Sequence, residues 1–479
     1  MSHRFPRLLA LSLCWLIAPI AAAESSHGNY GLLRSRLLDE FVVLGTAQGQ
    51  GQPMVERSDQ TGVVRWADST IQLGFYLGVL ATEYALLSDP DGFPEMSRGG
   101  GDLDDTLQEL SVALSALERL DAVADASFDS PCTQAQVVNG FFIRDDVPAD
   151  AWQAYSGASQ VSSDYTDSTV TNKEMSQDQV YHLLAGLALV RRFVPDDASD
   201  VQPSSWATEL ALGIIGHVAA REDWTIVNPA CDDRDVARGA DAGGYAVATS
   251  MVSGWFSDGQ IVPDYPEYSE TLAEAGRDPD SILYSNVDNL HMAMAVSATG
   301  DAWGESTTED LILLAGNEGW VLYPLLHQAL HGPTQAWCDQ GEAVLQQAYS
   351  MLEELPIGDE PRSPWPDTAA HSFTSWNRFI RGANQAYTGP DDSQELRYAG
   401  LDFMLLHNLL VLTTPGAWDG ELTPECPADP HDSGQGSASQ DPGCACGVAP
   451  RGRGLAWLSL ALGLFLIRRR AGEGRPASW

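Results

Sequence analysis

One lysine, Lys173, stands in the whole chain of 479 residues. Arginine does not make up the deficit, because Lys and Arg together number 26 against 66 Asp and Glu, a net charge of −40. Setting aside Arg4 and Arg7 at the start, and six arginines and Glu473 in the tail, the body holds 18 basic and 65 acidic residues, a net charge of −47. A body so acidic repels phosphate backbones, which argues against nucleic acid as a partner. It also weakens the case for a polyuronate substrate unless arginines cluster locally. High net charge suits solubility in salty or Ca²⁺-containing surroundings.

Other absences narrow the chemistry further. The chain has no phosphate-binding loop, no dinucleotide fingerprint and no nucleophile elbow. No CxxC or Cys/His spacing suggests zinc. Runs of alternating apolar and polar residues joined by hairpin turns are missing too, so a sheet-based fold is not expected. Seven cysteines are present. Cys14 lies in the leading apolar run and Cys444 and Cys446 in the tail. Cys132, Cys231, Cys338 and Cys426 remain, an even number that reads as two disulfides with three connectivities open.

Both ends carry export features. Arg4 and Arg7 precede an apolar run from Leu8 to Ile20, then Ala21-Ala22-Ala23 before Glu24. This is the pattern of a cleaved signal peptide spanning residues 1–23. Its 13 residues fall short of the roughly 20 that a spanning helix needs. At the other end a Gly/Ser/Asp/Pro-rich linker at 429–443 leads into Cys444-Ala445-Cys446, an apolar stretch from Leu455 to Ile467, and Arg468-Arg469-Arg470. An apolar segment followed by arginines is a stop-transfer arrangement. At ~1.5 Å per residue it reaches only ~20 Å into a hydrocarbon core ~30 Å thick.

Residues 443–470 resemble a myxobacterial-type C-terminal sorting signal, the MYXO-CTERM class. The resemblance implies that a sorting protease cuts the tail near Cys444 and Cys446, and that the protein is displayed at the outer surface of the cell envelope. A plain tail anchor, with residues 444–470 in the membrane and 471–479 cytoplasmic, is the alternative.

The ectodomain, residues 24–428, is long for one domain but within reach of a single large helical one. Periodicity predicts an all-α fold with helices near Leu32–Leu44, Ala67–Leu87, Leu103–Val123, Ser176–Val194, Ser204–Ala220, Tyr245–Phe256, Ile282–Ala298, Asp310–Leu330, Ala343–Leu355 and Glu395–Thr413. Some, such as Ser176–Val194, are apolar nearly all round and need a buried setting. Long segments at 128–173 and 223–242 are too large for simple connectors. Glu174-Met175-Ser176-Gln177-Asp178-Gln179, running on into Ala185-Gly186-Leu187-Ala188, resembles the inner helices of bacterial (α/α) toroid proteins, and Gly400–Asn408 adds a second helix of that character. The resemblance implies a ring of helical hairpins. Such toroids include glycoside hydrolases, polysaccharide lyases and terpene cyclases, so the fold does not choose a chemistry.

Asp178, Tyr181 and His182 share one helical face at i, i+3 and i+4, with Asp178 in the first turn where free N–H groups favour its carboxylate. They are the candidate catalytic group; the competing reading is a helix cap beside a core histidine. A two-carboxylate hydrolase needs a second acid, for which Glu174, Asp104 and Asp146 are available. Trp376, Arg378 and Asp146 are candidate substrate-binding residues, the tryptophan by stacking on a sugar ring. Asp102-Leu103-Asp104-Asp105 is similar to the proton-donating motif of class II terpene cyclases, yet it opens a helix on an exported protein and reads better as a cap or a weak Ca²⁺ site. His327 and His331 share a face, but Gln328 stands where a zinc protease needs glutamate. No cofactor beyond that weak Ca²⁺ site is expected. The chain therefore reads as an exported, surface-anchored helical protein that either processes a glycan by carboxylate chemistry or binds glycan or protein without catalysis.

Overall fold

The computed structural model describes residues 26–58, 62–66, 68–93, 101–127, 139–148, 150, 158–166, 174–219, 226–227, 233–234, 252–258, 292–297, 304–318, 321–353, 362–363, 396–417, 421–424 and 426. Helix dominates them, as the periodicity predicts. The helices are α1 (Ser26–Arg36), extended by a π-turn at Leu37–Phe41, α2 (Ser69–Ser88), α3 (Leu103–Ser127), α4 (Gln177–Phe193), α5 (Pro203–Val218), α6 (Gly304–Glu318), α7 (Leu322–His331), α8 (Gln335–Glu353) and α9 (Leu401–Thr413). Short helical stretches occupy 252–256 and 292–296.

Two kinds of helix are present, and composition separates them. From Ser69 to Thr82 α2 carries no charge, and every one of those side chains is buried, as is Glu83. Helix α4 is buried from Gln179 to Val190, and α9 is buried at nearly every position. A helix apolar all round belongs in a core. Among the described residues α2 is also the one helix long and apolar enough to cross a membrane, but 89% of its apolar window is packed inside the fold. By contrast α8 buries a single stripe, Trp337, Gly341, Val344, Leu345, Ala348 and Leu352, and leaves its other face to solvent.

The fully buried helices run in one direction. Gly74 of α2 lies against the backbone of His182 and Leu183 in α4, while Gly78, one turn on, meets Leu189. Leu405 of α9 also touches Gly78, and Asn408 bonds Val79 and Thr82. Helices α2, α4 and α9 are therefore parallel. Glu109 of α3 meets Tyr76 and Thr106 meets Glu83, so α3 runs opposite to α2. Asn408 and Gly400 of α9 meet Tyr30 and Leu33 of α1, so α1 runs opposite to α9. The last helix, α9, packs against the first two as well as against α7 and α8.

A buried polar cluster links α1, α2, α3 and α9. Arg34 Nε bonds Glu83 at 2.9 Å and Nη2 reaches Glu109 at 2.8 Å. Tyr76 donates to Glu109 at 2.6 Å, Thr106 to Glu83 at 2.7 Å, and Tyr30 makes a short bond to Glu83. Asn408 donates to the Tyr30 hydroxyl at 3.2 Å. Every charge in it is met by another, which is the condition for tolerating charge at such depth.

Three expectations need correction. The helix expected over Asp310–Leu330 is two helices, α6 and α7, because Pro324 has no N–H and fits only a first turn. The helix expected from Glu395 begins at Leu401. Leu396–Tyr398 is strand β7, and Gly400, at φ +77°, makes the break. Strands are also present. A five-stranded sheet has the order β3 (Gln160–Ser162), β2 (Val63–Arg65), β1 (Glu56–Ser58), β7 and β6 (Arg362–Ser363); β4 (Ile226–Val227) pairs with β5 (Asp233–Arg234). Strands of two or three residues are too short to leave an alternation in the sequence. Strand β2 leads into the N-terminus of α2 and β7 into that of α9, so this sheet caps the N-terminal ends of the buried helices.

Candidate active site

At the N-terminal end of α4 Ser176 and Gln179 form a reciprocal capping box, with Ser176 N donating to Gln179 Oε1 at 3.0 Å. The Asp178 carboxylate, half-buried at this end, accepts the Ser176 hydroxyl in a short bond and the Gln179 N–H at 3.0 Å. Tyr181 and His182 are both buried. His182 Nδ1 donates to the Asp178 carbonyl at 2.6 Å, and its ring packs 5.3 Å from Phe75. Of the expected trio, Asp178 alone reaches the helix mouth.

The second carboxylate is Asp68, which falls at the start of the helix expected over Ala67–Leu87. Asp68 ends the approach to α2 and lies beside α4, because the two helices are parallel and start at the same level. Its Oδ1 accepts Arg144 Nη1 at 2.7 Å and Gln179 Nε2 at 2.9 Å. Burial raises the pKa of Asp68, the Arg144 guanidinium opposes that, and the neighbouring Asp178 charge raises it further. The Asp178 charge thus bears on Asp68, while Arg144 pairs with Asp68 Oδ1. Arg144 is oriented in turn by the Glu174 carbonyl at 2.9 Å.

Beneath this mouth the segment Arg144-Asp145-Asp146 is a clamp. Asp146 has no exposed surface. It accepts Arg119 Nε at 2.6 Å, Gln52 Nε2 at 2.6 Å and Gly49 N at 2.9 Å. The carboxylate is thus turned to Arg119 and to the loop at 49–52. Ser69 carries the chain of bonds onward, donating to Gln52 Oε1 at 2.7 Å and to the Arg144 carbonyl at 3.2 Å. Asp145 accepts Ser163 and the N–H groups of Val147 and Asp164, and burial pushes its pKa up to about 7.

The remaining candidates fall elsewhere. Glu174 is buried, and Asp104 is exposed on α3. Asp102 caps α3 by accepting the Asp104 N–H at 2.8 Å, the capping role its position suggested. His327 and His331 stack edge to face at 4.6 Å, and His331 Nε2 donates to the Val296 carbonyl. Burial holds their pKa values down, to about 3 and about 4, so both are neutral core histidines. Among the described residues no group of three or more His, Cys, Asp or Glu could hold a metal. A groove of about 630 Å³ between α6 and α8, lined by Ile312, Leu313, Asp339, Glu342 and Val344, lies outside this network. Trp376, Arg378, Cys444 and Cys446 lie outside the described residues, as do Cys132 and Cys231. Cys338 and Cys426 are bonded, with Cα atoms 5.6 Å apart.

No protein-family model, curated protein or solved structure matches the chain.

Proposed function

We propose that the protein is an exported, surface-displayed helical toroid that processes a glycan by carboxylate acid/base chemistry at the mouth formed by α2 and α4. The ring itself is part of the proposal. Its support is the alternation of buried, parallel helices with half-exposed ones, and the packing of α9 back onto α2. Export and display rest on the signal peptide and on the sorting segment with Cys444 and Cys446.

The observation that carries the chemistry is the coupled pair Asp68 and Asp178 beside Arg144. Asp68, whose pKa is raised, is the proton donor to a leaving sugar oxygen. Asp178, held by Ser176 and the Gln179 N–H, is the carboxylate that accepts a proton from water or from the sugar. His182 and Tyr181 act as packing that fixes the level of α4 against α2.

The test is a glycan panel with reducing-end and unsaturated-product detection, run on the wild type, Asp68→Asn and Asp178→Asn. Loss of at least 10²-fold in turnover in both variants, with unchanged circular dichroism, is expected from removal of an acid/base group. Turnover unaffected by either change removes the pair from the mechanism. One observation favours a second reading, a non-catalytic glycan- or protein-binding module. Arg144 and Gln179 already occupy Asp68 Oδ1. Binding without turnover anywhere on the panel would establish it.

A further inference from the structure

Asp68 stands at the N-cap of α2, where a carboxylate ordinarily accepts free N–H groups of the first turn, yet it makes no capping bond. Its Oδ1 turns instead to Arg144 and Gln179. The next side chain is diverted as well. Ser69, with no exposed surface, donates to Gln52 Oε1 at 2.7 Å and to the Arg144 carbonyl at 3.2 Å, 17 and 75 positions away in sequence. Helix α2 thus forgoes the local cap that its first residues could supply, and the same groups reach distant segments.

The bonds gained converge on Arg144. Ser69 follows Asp68 in the chain and holds the Arg144 main chain, so one hydroxyl ties together both partners of the Asp68–Arg144 ion pair, closed at 2.7 Å. On the other side Ile143 bridges to Glu174, and Arg144 Nε donates to the Glu174 carbonyl at 2.9 Å. Arg144 is therefore fixed from the approaches to α2 and α4 at once. Behind Ser69, Gln52 donates to Asp146, which Arg119 and the Gly49 N–H also hold. Gln52, Ser69 and Asp146 are all buried, so a bond lost among them finds no ready substitute in water.

We propose that Ser69 is a positioning residue for the carboxylate pair: its hydroxyl, backed by Gln52 and Asp146, holds Arg144 against Asp68 and so fixes what the mouth presents to a substrate. The proposal rests on the carboxylate reading above and adds the device that sets its geometry. Ser69 acts through Arg144 and touches no substrate. Burial raises the Asp68 pKa, and Arg144 and Asp178 are the charged groups that bear on it. An opposite charge nearby lowers a carboxyl pKa by about 1–3, so a loosened Arg144 lets the Asp68 midpoint rise.

Carboxyl-carbon NMR titration of the full chain reads that midpoint directly, with the Asp68 signal assigned by its loss in Asp68→Asn. Ser69→Ala should raise it by about 1 pH unit, and Arg144→Met, the reference for complete loss of the ion pair, by about 1–3. General destabilisation leaves a folded-state midpoint where it was, so this readout separates positioning from mere support. If Ser69→Ala does not fold, Gln52→Leu takes its place, because it removes the backing and keeps the hydroxyl; a smaller rise is expected. An unmoved midpoint in the variant that folds, or in Arg144→Met, overturns the proposal. On any glycan that is cleaved, Ser69→Ala should lower kcat by about tenfold with KM little changed. A raised midpoint without cleavage of any glycan keeps the positioning role and sinks the carboxylate mechanism. Cleavage that depends on Asp68, with the midpoint unmoved in Ser69→Ala, does the reverse.

Discussion

Replacing Gly74 by alanine tests the helix contact on which the candidate site depends. A Cβ on Gly74 would sit 2.3 Å from the His182 carbonyl oxygen and 2.8 Å from Leu183 N. On the facing helix, a Cβ on Gly186 would sit 2.2 Å from the Gly74 carbonyl oxygen. These obstacles are backbone, so relief requires α2 and α4 to separate by roughly 1 Å, judged against ordinary contact distances. Overpacking of this kind costs about 1–3 kcal/mol or more. Alanine returns up to about 1 kcal/mol through helix propensity. The net expectation is a loss of about 2 kcal/mol. Gly216 of α5 is the control: it is helical and exposed, and a Cβ there meets nothing within 4 Å. Gly216→Ala should stabilise by about 0.4–1 kcal/mol through the entropy of the unfolded chain. Urea denaturation of the two variants therefore gives changes of opposite sign. If Gly74→Ala were neutral, or as stabilising as Gly216→Ala, the close parallel packing of α2 and α4 would be wrong. The common level of Asp68 and Asp178 would fall with it.

Three further outcomes follow from the buried groups. Asp146→Ala leaves Arg119 and Gln52 without their acceptor and should cost about 3 kcal/mol in urea denaturation; a change under 1 kcal/mol would contradict the clamp. Cys338 and Cys426 are 88 positions apart, so Cys338→Ser should lower stability by about 2–5 kcal/mol under oxidising conditions. Non-reducing peptide mapping should find Cys132 bonded to Cys231, and a link from either to Cys338 would refute the assignment. Burial pushes Asp121 and Asp145 up to about 7, against backbone N–H donors that favour their charged forms. With folded values above the ordinary carboxylate range, the folded state binds more protons than the unfolded state between about pH 4 and pH 7. That contribution to stability is complete below about pH 4 and is lost as pH rises to about 7. Asp145→Asn should therefore gain on the wild type as pH rises from 5 to 7.5, and a constant difference between the two would refute the shift.

Much of the helical content was legible, because burial writes itself into a single helix. The uncharged, largely apolar character of Ser69–Thr82 and of Val180–Val190 announces a core helix whatever surrounds it. Helix α8 was legible only in part, since it starts at Gln335, ahead of the expected Ala343. The expected start of α4 at Ser176 is where the structure places the capping box of Ser176 with Gln179. Where local signals compete, the reading failed. Pro324 divides what looked like one helix, and β7 takes the first residues of what looked like another.

The site was not legible in the same way. Spacing within α4 correctly put Asp178, Tyr181 and His182 on neighbouring positions, but it could not say which side of that face α2 would cover. Asp68 and Asp178 are 110 residues apart in sequence, and nothing in either segment marks the other. Composition and the existence of buried helices are sums over short stretches of chain, so the sequence by itself determined them. Which carboxylates share a mouth and which cysteine meets Cys338 depend on contacts between distant segments, and those were decided by tertiary packing.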